Sequence, residues 1–308
     1  MRSRFHDTLV KIAEKNERIY LIVADIGYGD VERFAERFPD RFVNAGVAEQ
    51  NVTSVACGLA MEGNIVVTYS VANFTTLRCL EQIRNDVCYH KANVKIVITG
   101  GGMSYGALGV SHQAIEDLAI MRSLPDMIVI APADLAETEA ATHAMIEHSG
   151  PVYFRCGRKN EPPLHKGAID FQIGRAIEVC DGRDITLIGT GTVTHRAFQA
   201  VELLGRRGIE ARLLSMHTVK PLDAEAVVAA ARETGAIVTV EEHNVLGGLG
   251  GAVAEVLAES GIGIPFTRIG LPDTYVDAVG SHEWLLDRNG FSPEAIARTA
   301  QEVRERKR

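Results

Sequence analysis

Two side chains stand where chemistry could be done. Glu49 sits where an extended run gives way to a helix, and His112 follows a glycine-containing loop. The segment Asn44-Ala45-Gly46-Val47-Ala48-Glu49-Gln50-Asn51 follows the extended run Arg41-Phe42-Val43. Val52, Val55, Ala56 and Leu59 then recur on one face at helical spacing. Glu49 therefore falls in the first turn of a helix expected over 48–62. The helix dipole and the free amides of that turn favour a carboxylate there, so position alone demands no chemistry. In a dry site a carboxyl group can also hold and share a proton, because desolvation disfavours the anion. His112 comes after Gly106-Ala107-Leu108-Gly109-Val110-Ser111, a loop from which an imidazole can reach a substrate. Glu116 and Asp117 read as the start of the next helix, supporting that loop.

The elements that must hold these groups alternate regularly. Apolar, β-rich runs at 19–24, 65–69, 94–99, 127–131 and 152–155 are separated by helical patterns near 48–62, 76–91, 116–124 and 135–148. Continuous apolar strands between helices indicate a mostly parallel sheet covered on both faces. From Cys156 to Gly174 the periodicity fails, and Arg158, Lys159, Pro162, Pro163 and Lys166 make a polar, proline-containing crossing. A second alternation follows, with strands at 185–189, 211–216, 237–241 and 266–269, and two late helices near Ser281 and Ser292. The expected architecture is two parallel-sheet α/β domains, residues 1–165 and 166–308.

Composition narrows the classes of function. The chain has 308 residues, enough for two domains of ordinary size, with 46% hydrophobic and 23% charged residues, as in globular proteins. A net charge of -8 argues against nucleic acid or an anionic membrane as the main partner. The basic run Arg304 to Arg308 suits the C-terminal end of a last helix. No apolar stretch approaches the roughly 20 residues needed to span a bilayer. His6 and Asp7 interrupt the N-terminus where a signal peptide needs an apolar core, so a cytoplasmic location is expected. Five scattered cysteines without a Cys-x-x-Cys pair suit reduced thiols, and the ten histidines show no paired ligand spacing, so no metal is expected on this chain alone. Gly189-Thr190-Gly191-Thr192 and Gly247-Gly248-Leu249-Gly250-Gly251 each precede a helix. Neither completes a dinucleotide fingerprint or a phosphate-binding loop, and both read as tight turns.

Six motifs, in order along nearly the whole chain, carry a family resemblance. Gly46-Val47-Ala48-Glu49-Gln50-Asn51 resembles the transketolase-type signature around the glutamate that activates thiamine diphosphate. Phe74-Thr75-Thr76-Leu77-Arg78-Cys79-Leu80-Glu81-Gln82-Ile83-Arg84 resembles the aromatic-rich helix that follows, and Ser111-His112-Gln113-Ala114-Ile115-Glu116-Asp117 the family's Thr-His-Gln-x-x-Glu-Asp motif. Pro151-Val152-Tyr153-Phe154-Arg155 resembles the strand closing the pyrimidine-binding domain. The runs His217 to Asp223 and Glu241 to Gly250 resemble the family's C-terminal domain. The match is to the C-terminal half of transketolase, as found in split enzymes made of two polypeptides.

That resemblance implies a pyrimidine-binding domain followed by a transketolase C-terminal domain, and transfer of a two-carbon ketol unit from a ketose to an aldehyde. It implies that Glu49 shares a proton with the cofactor's pyrimidine ring and that Phe74 stacks on that ring, with Tyr69 as a competing stacker. His112 would hydrogen-bond the donor ketose or move protons. Arg155 would meet a substrate anion, since guanidinium forks suit phosphate, or else close a salt bridge at the domain end. Arg78 lies one helical turn before Gln82 and is expected to face the same pocket. Family members hold the cofactor diphosphate through Mg2+ bound at a Gly-Asp-Gly motif, which this sequence lacks. A separate N-terminal subunit carrying that site is therefore implied, with the chain homodimerising inside a heterotetramer. His217 and His243 are expected to be structural.

Departures bear on the substrate. Many transketolases carry Gly-Glu-Asp-Gly before the histidine; the matching run here is Gly106-Ala107-Leu108-Gly109, so the carboxylate that contacts an acceptor hydroxyl has become Leu108. Gly101 stands where deoxyxylulose-phosphate synthases place an arginine, and Val71 replaces an aromatic common in split transketolases. A specialised sugar acceptor is expected. Two other readings stay open: half of a deoxyxylulose-phosphate-synthase-like enzyme or a 2-oxoacid dehydrogenase beta subunit, and a non-catalytic regulatory subunit.

Overall fold

The computed structural model describes residues 1–157 and 161–307. Arg158 and Lys159 of the polar crossing, and Arg308 of the basic tail, lie outside the described residues. The first half runs α1 (Arg2–Ala13), β1 (Ile19–Val23), α2 (Glu32–Arg37), β2 (Phe42–Asn44), α3 (Glu49–Met61), β3 (Ile65–Val71), α4 (Ala72–Thr76), α5 (Leu80–Gln82), β4 (Val94–Thr99), α6 (Asp117–Ser123), β5 (Ile128–Ile130), α7 (Leu135–Glu147) and β6 (Val152–Cys156). The second runs β7 (Ile177–Cys180), β8 (Ile185–Thr190), α8 (Thr194–Gly205), β9 (Ala211–Ser215), β10 (Thr218–Lys220), α9 (Ala224–Thr234), β11 (Ile237–Asn244), α10 (Leu249–Glu259), β12 (Phe266–Leu271), α11 (His282–Arg288) and α12 (Pro293–Glu305).

Two sheets result, one of seven strands in the order β10-β5-β6-β4-β3-β1-β2 and one of five in the order β12-β11-β8-β9-β7. All pairings are parallel except β10 on β5 and β7 on β9, which are antiparallel edges. Every residue of β3, β4 and β6 is buried, as expected of strands covered on both faces. Alternation divides β3 between two cores. Val66 faces one with Ile22, Ile96 and Tyr153, while Val67 and Tyr69 face the other with Phe5, Leu9 and Phe154. The second sheet is sandwiched likewise, and Met103, Ile115 and Ala133 of the first half join its core.

The structure adds four elements to those expected from sequence: strands β7 and β10 and helices α1 and α2. The helix expected over 76–91 is broken into α4, α5 and a wide-turned segment, Ile83–Cys88. There the Tyr89 amide bonds the Arg84 carbonyl at 3.1 Å and the Ala92 amide bonds the Val87 carbonyl at 2.9 Å, each five residues back. Such widened turns insert an extra residue into a helix, here while keeping Ile83, Val87 and Cys88 inward.

Candidate active site

The site gathers where β2, β3 and β4 end, at the carboxyl edge of the first sheet. After β2 the chain turns through Asn44, whose Oδ1 accepts from the Asp25 amide at 3.1 Å and the Gly46 amide at 3.0 Å. Gly46 has φ +69°, which a side chain would strain. This turn delivers Glu49 to the first position of α3 with its side chain 3% exposed.

The Glu49 carboxylate is not alone. Arg78 Nη1 donates to Glu49 Oε2 at 2.9 Å, and the half-exposed guanidinium lies 5.3 Å from the centre of the Phe74 ring. Phe74 in turn meets the His112 ring edge-on, with centroids 5.1 Å apart. Glu49, Arg78, Phe74 and His112 thus form one contiguous row, drawn from three separate stretches of sequence. Glu49 Oε1 has no partner among the described residues. His112 Nδ1 lies 3.0 Å from Ser111 Oγ.

Sequence reasoning missed the residue that joins two of these stretches. Asn73 Nδ2 donates to the Gln113 carbonyl at 2.6 Å and reaches the Val110 and Ser111 carbonyls at 3.3 Å. It staples the histidine loop onto α4, beside Phe74. A polar side chain directly preceding the candidate aromatic was the available signal.

Two expected site residues are elsewhere. Tyr69 is 1% exposed and faces away, packed with His6 at 4.7 Å and Phe5 at 6.4 Å between ring centroids. Strand alternation puts it on the α1 side of the sheet, so it is no competing stacker. Arg155 is buried in a salt bridge: Nε lies 2.9 Å from Asp117 Oδ2, and Nη2 donates to the Ala114 and Glu242 carbonyls at 3.0 Å. Its fork is committed to the seam between the halves, which corrects the expected substrate contact. Tyr153 completes this cluster, its hydroxyl donating to Asp117 Oδ2 at 2.8 Å.

The Arg155 side chain also explains Gly101. A Cβ at position 101 would lie 2.2 Å from Arg155 Nε and 2.8 Å from its Cγ. The space an arginine at 101 would need is already filled. Leu108 is 56% exposed. His217 is buried with its ring 4.0 Å from that of Phe171, and His243 Nδ1 bonds the Asn244 carbonyl at 2.7 Å, so both are packed into the framework. Among the described residues no group of three or more His, Cys, Asp or Glu side chains could hold a metal ion. Among them, too, no helix is long and apolar enough to cross a membrane.

Two α/β units with a carboxylate, a guanidinium and an aromatic ring at the first sheet's carboxyl edge define a ligand-binding α/β class. Comparison with known proteins narrows it. The family model for the transketolase pyrimidine binding domain matches residues 1–163, and that for the transketolase C-terminal domain matches residues 174–296. One of the two subunits of an apulose-4-phosphate transketolase from Phocaeicola vulgatus is 38% identical over 98% of this chain and 96% of its own length. A 6-deoxy-6-sulfo-D-fructose transketolase subunit of Clostridium sp. is 38% identical over 100% of this chain and 95% of its own. A solved split-gene transketolase, in an inactive beta4 tetramer, superposes with a TM-score of 0.90 at 41% identity, covering 100% of this chain and 98% of that one. The chain belongs to the transketolase family, as the C-terminal section of the split type.

Proposed function

We propose that this chain, joined to a separate N-terminal subunit, transfers a two-carbon ketol unit from a ketose to an aldehyde, with thiamine diphosphate as cofactor. The observation that carries the reading is the buried Glu49 carboxylate with Oε1 unpartnered, one guanidinium away from the Phe74 ring. A flat aminopyrimidine needs a proton-sharing acid at one edge and an aromatic face, and these residues fit it. When bound, the cofactor supplies the nucleophilic carbon that carries the ketol unit. Glu49 holds a proton at the pyrimidine edge, Arg78 fixes the orientation of Glu49, and Phe74 supports the ring. His112, tethered through its loop to Asn73, hydrogen-bonds the ketose donor.

The diphosphate end is assigned to the partner. A diphosphate requires a hard cation with oxygen ligands or several donors, and the N-terminal subunit is taken to supply Mg2+ and its ligands. The proposed assembly is a cytoplasmic heterotetramer, two copies of each chain with the C-terminal sections paired. Residues 1–165 form the pyrimidine-binding domain and 166–308 the C-terminal domain; the extents of the two family matches support that division.

The acceptor is a specialised sugar. Exposed Leu108 gives no hydroxyl contact, and two relatives carry names that specify apulose 4-phosphate and 6-deoxy-6-sulfo-D-fructose. The filled space at Gly101 speaks against a deoxyxylulose-phosphate-synthase arrangement. Co-expression with the N-terminal subunit, followed by mass spectrometry of products from a panel of ketoses and aldehydes, tests the reading. Thiamine-dependent ketol transfer by the complex alone is expected. Turnover by this chain without a partner, or carbon dioxide release from pyruvate, overturns it; efficient transfer to ribose 5-phosphate overturns the specialised acceptor.

A further inference from the structure

Beside Phe74 lies a cavity of about 610 Å3, within the range of small-molecule sites. Most of its wall comes from the first half, but one side is Tyr275, on the loop that follows β12. Tyr275 is 73% exposed, yet its loop is held firmly. Val276 and Ala278 pack inward on the second core, and the Gly280 amide donates to the Gly106 carbonyl at 3.2 Å. A Cβ on Gly109 would touch Val279 at 3.3 Å, so this loop and the histidine loop lie side by side. These inward anchors leave the tyrosine ring standing over the cavity.

We propose that Tyr275 is a specificity-determining residue for the ketol acceptor, its ring meeting the C–H face of a hydroxylated carbon chain and its hydroxyl meeting one of the chain's hydroxyl groups. The inference rests on the ketol-transfer reading and deepens it. The cavity's charged lining residues are Arg78 and Glu116, one of each sign, so it suits a neutral polyol segment and not a phosphate. Gln113 lies in the same wall, 3% exposed, with neither amide atom partnered. Because both ends are unpaired, the reading does not depend on which is oxygen. A buried amide left unpaired is costly, and rotation toward the cavity would let a ligand hydroxyl meet it. With Leu108 in place of a carboxylate, hydroxyl recognition falls to this opposite wall.

The test uses the two-subunit complex with hydroxypyruvate as ketol donor and either D-glyceraldehyde or propionaldehyde as acceptor, matched three-carbon aldehydes with and without hydroxyl groups. Tyr275→Ala is expected to raise KM for D-glyceraldehyde by about fivefold, the worth of one polar or stacking contact, with kcat and thiamine diphosphate affinity little changed. The shift for propionaldehyde should be smaller, and Tyr275→Phe should fall between the two for D-glyceraldehyde. Equal KM values for wild type and Tyr275→Ala with both aldehydes overturn the inference while leaving ketol transfer intact. So does failure of Tyr275→Ala to assemble with the N-terminal subunit, which would make the ring a partner contact. If the wild-type complex transfers no ketol unit, the parent reading falls and this one with it.

Discussion

In both halves the chain reverses its direction across the sheet between two neighbouring parallel strands, β1 and β3 in the first, β8 and β11 in the second. Ligands of open α/β sheets sit in the crevice this reversal leaves beyond the strand ends. In the second half the crevice is filled by protein. The Gly191 amide donates to the Ala131 carbonyl at 3.0 Å, the Asn244 amide to the Ile115 carbonyl at 2.8 Å, and the Met103 amide to Glu242 Oε1 at 2.5 Å. In the first half the corresponding edge keeps a half-buried ring, a half-exposed guanidinium and a carboxylate oxygen without a partner among the described residues. The same topology serves as a socket for the other half in one case and as a site in the other. The difference lies in which polar groups already have partners.

Substitutions can break this contrast from either side. Glu49→Gln in the assembled complex is expected to lower kcat by about 10²–10⁴-fold, the usual contribution of a positioned proton-sharing group. Steady-state kinetics measure it, and full activity would remove Glu49 from the chemistry. On the filled side, Arg155→Ala leaves Asp117 without its buried cation and should cost about 3–5 kcal/mol in denaturant unfolding. A stable Arg155→Ala chain would mean that the seam does not hold the halves together.

The next effect is a pH dependence. Burial pushes His6 down from an ordinary 6.5 to about 4. The unfolded chain then takes up a proton near pH 6.5 that the folded chain refuses until about pH 4, so stability falls as pH drops through that window. The loss should reach about 3 kcal/mol, and His6→Phe should flatten the corresponding slope in thermal melts. The smallest effect is expected at Arg78. Its ion pair is half exposed, so Arg78→Met should change stability by less than about 1 kcal/mol. Its kcat should fall by no more than about tenfold, and a loss equal to that of Glu49→Gln would give Arg78 a direct chemical role.

Much of this was legible in the sequence. Continuous apolar runs announced β3, β4 and β6 because buried parallel strands tolerate little else. The helical face of Val52, Ala56 and Leu59 located the start of α3, and with it Glu49. Tyr69 and Arg155 misled for opposite reasons. Tyr69 has the right chemistry on the wrong side of a strand, a distinction set by register alone. Arg155 lies near the end of a strand at the sheet's carboxyl edge, where an open site was plausible until the second half supplied Glu242 to cover it. Strand β10 escaped notice because three residues carry no periodicity, and its partner β5 lies far earlier in the chain, Thr218 opposite Ile130. Asn73 was invisible as a staple because its three acceptors are backbone carbonyls, which no side-chain motif records.

That short strand has a practical consequence for anyone dividing the gene. Since β10 completes the first sheet, a fragment stopping at residue 165 would present β5 as a bare ribbon of amides and carbonyls, an invitation to stick to its own copies. Shuffling the front and back of this protein between relatives therefore calls for the joint to be moved past Lys220, or for both pieces to be exchanged as one.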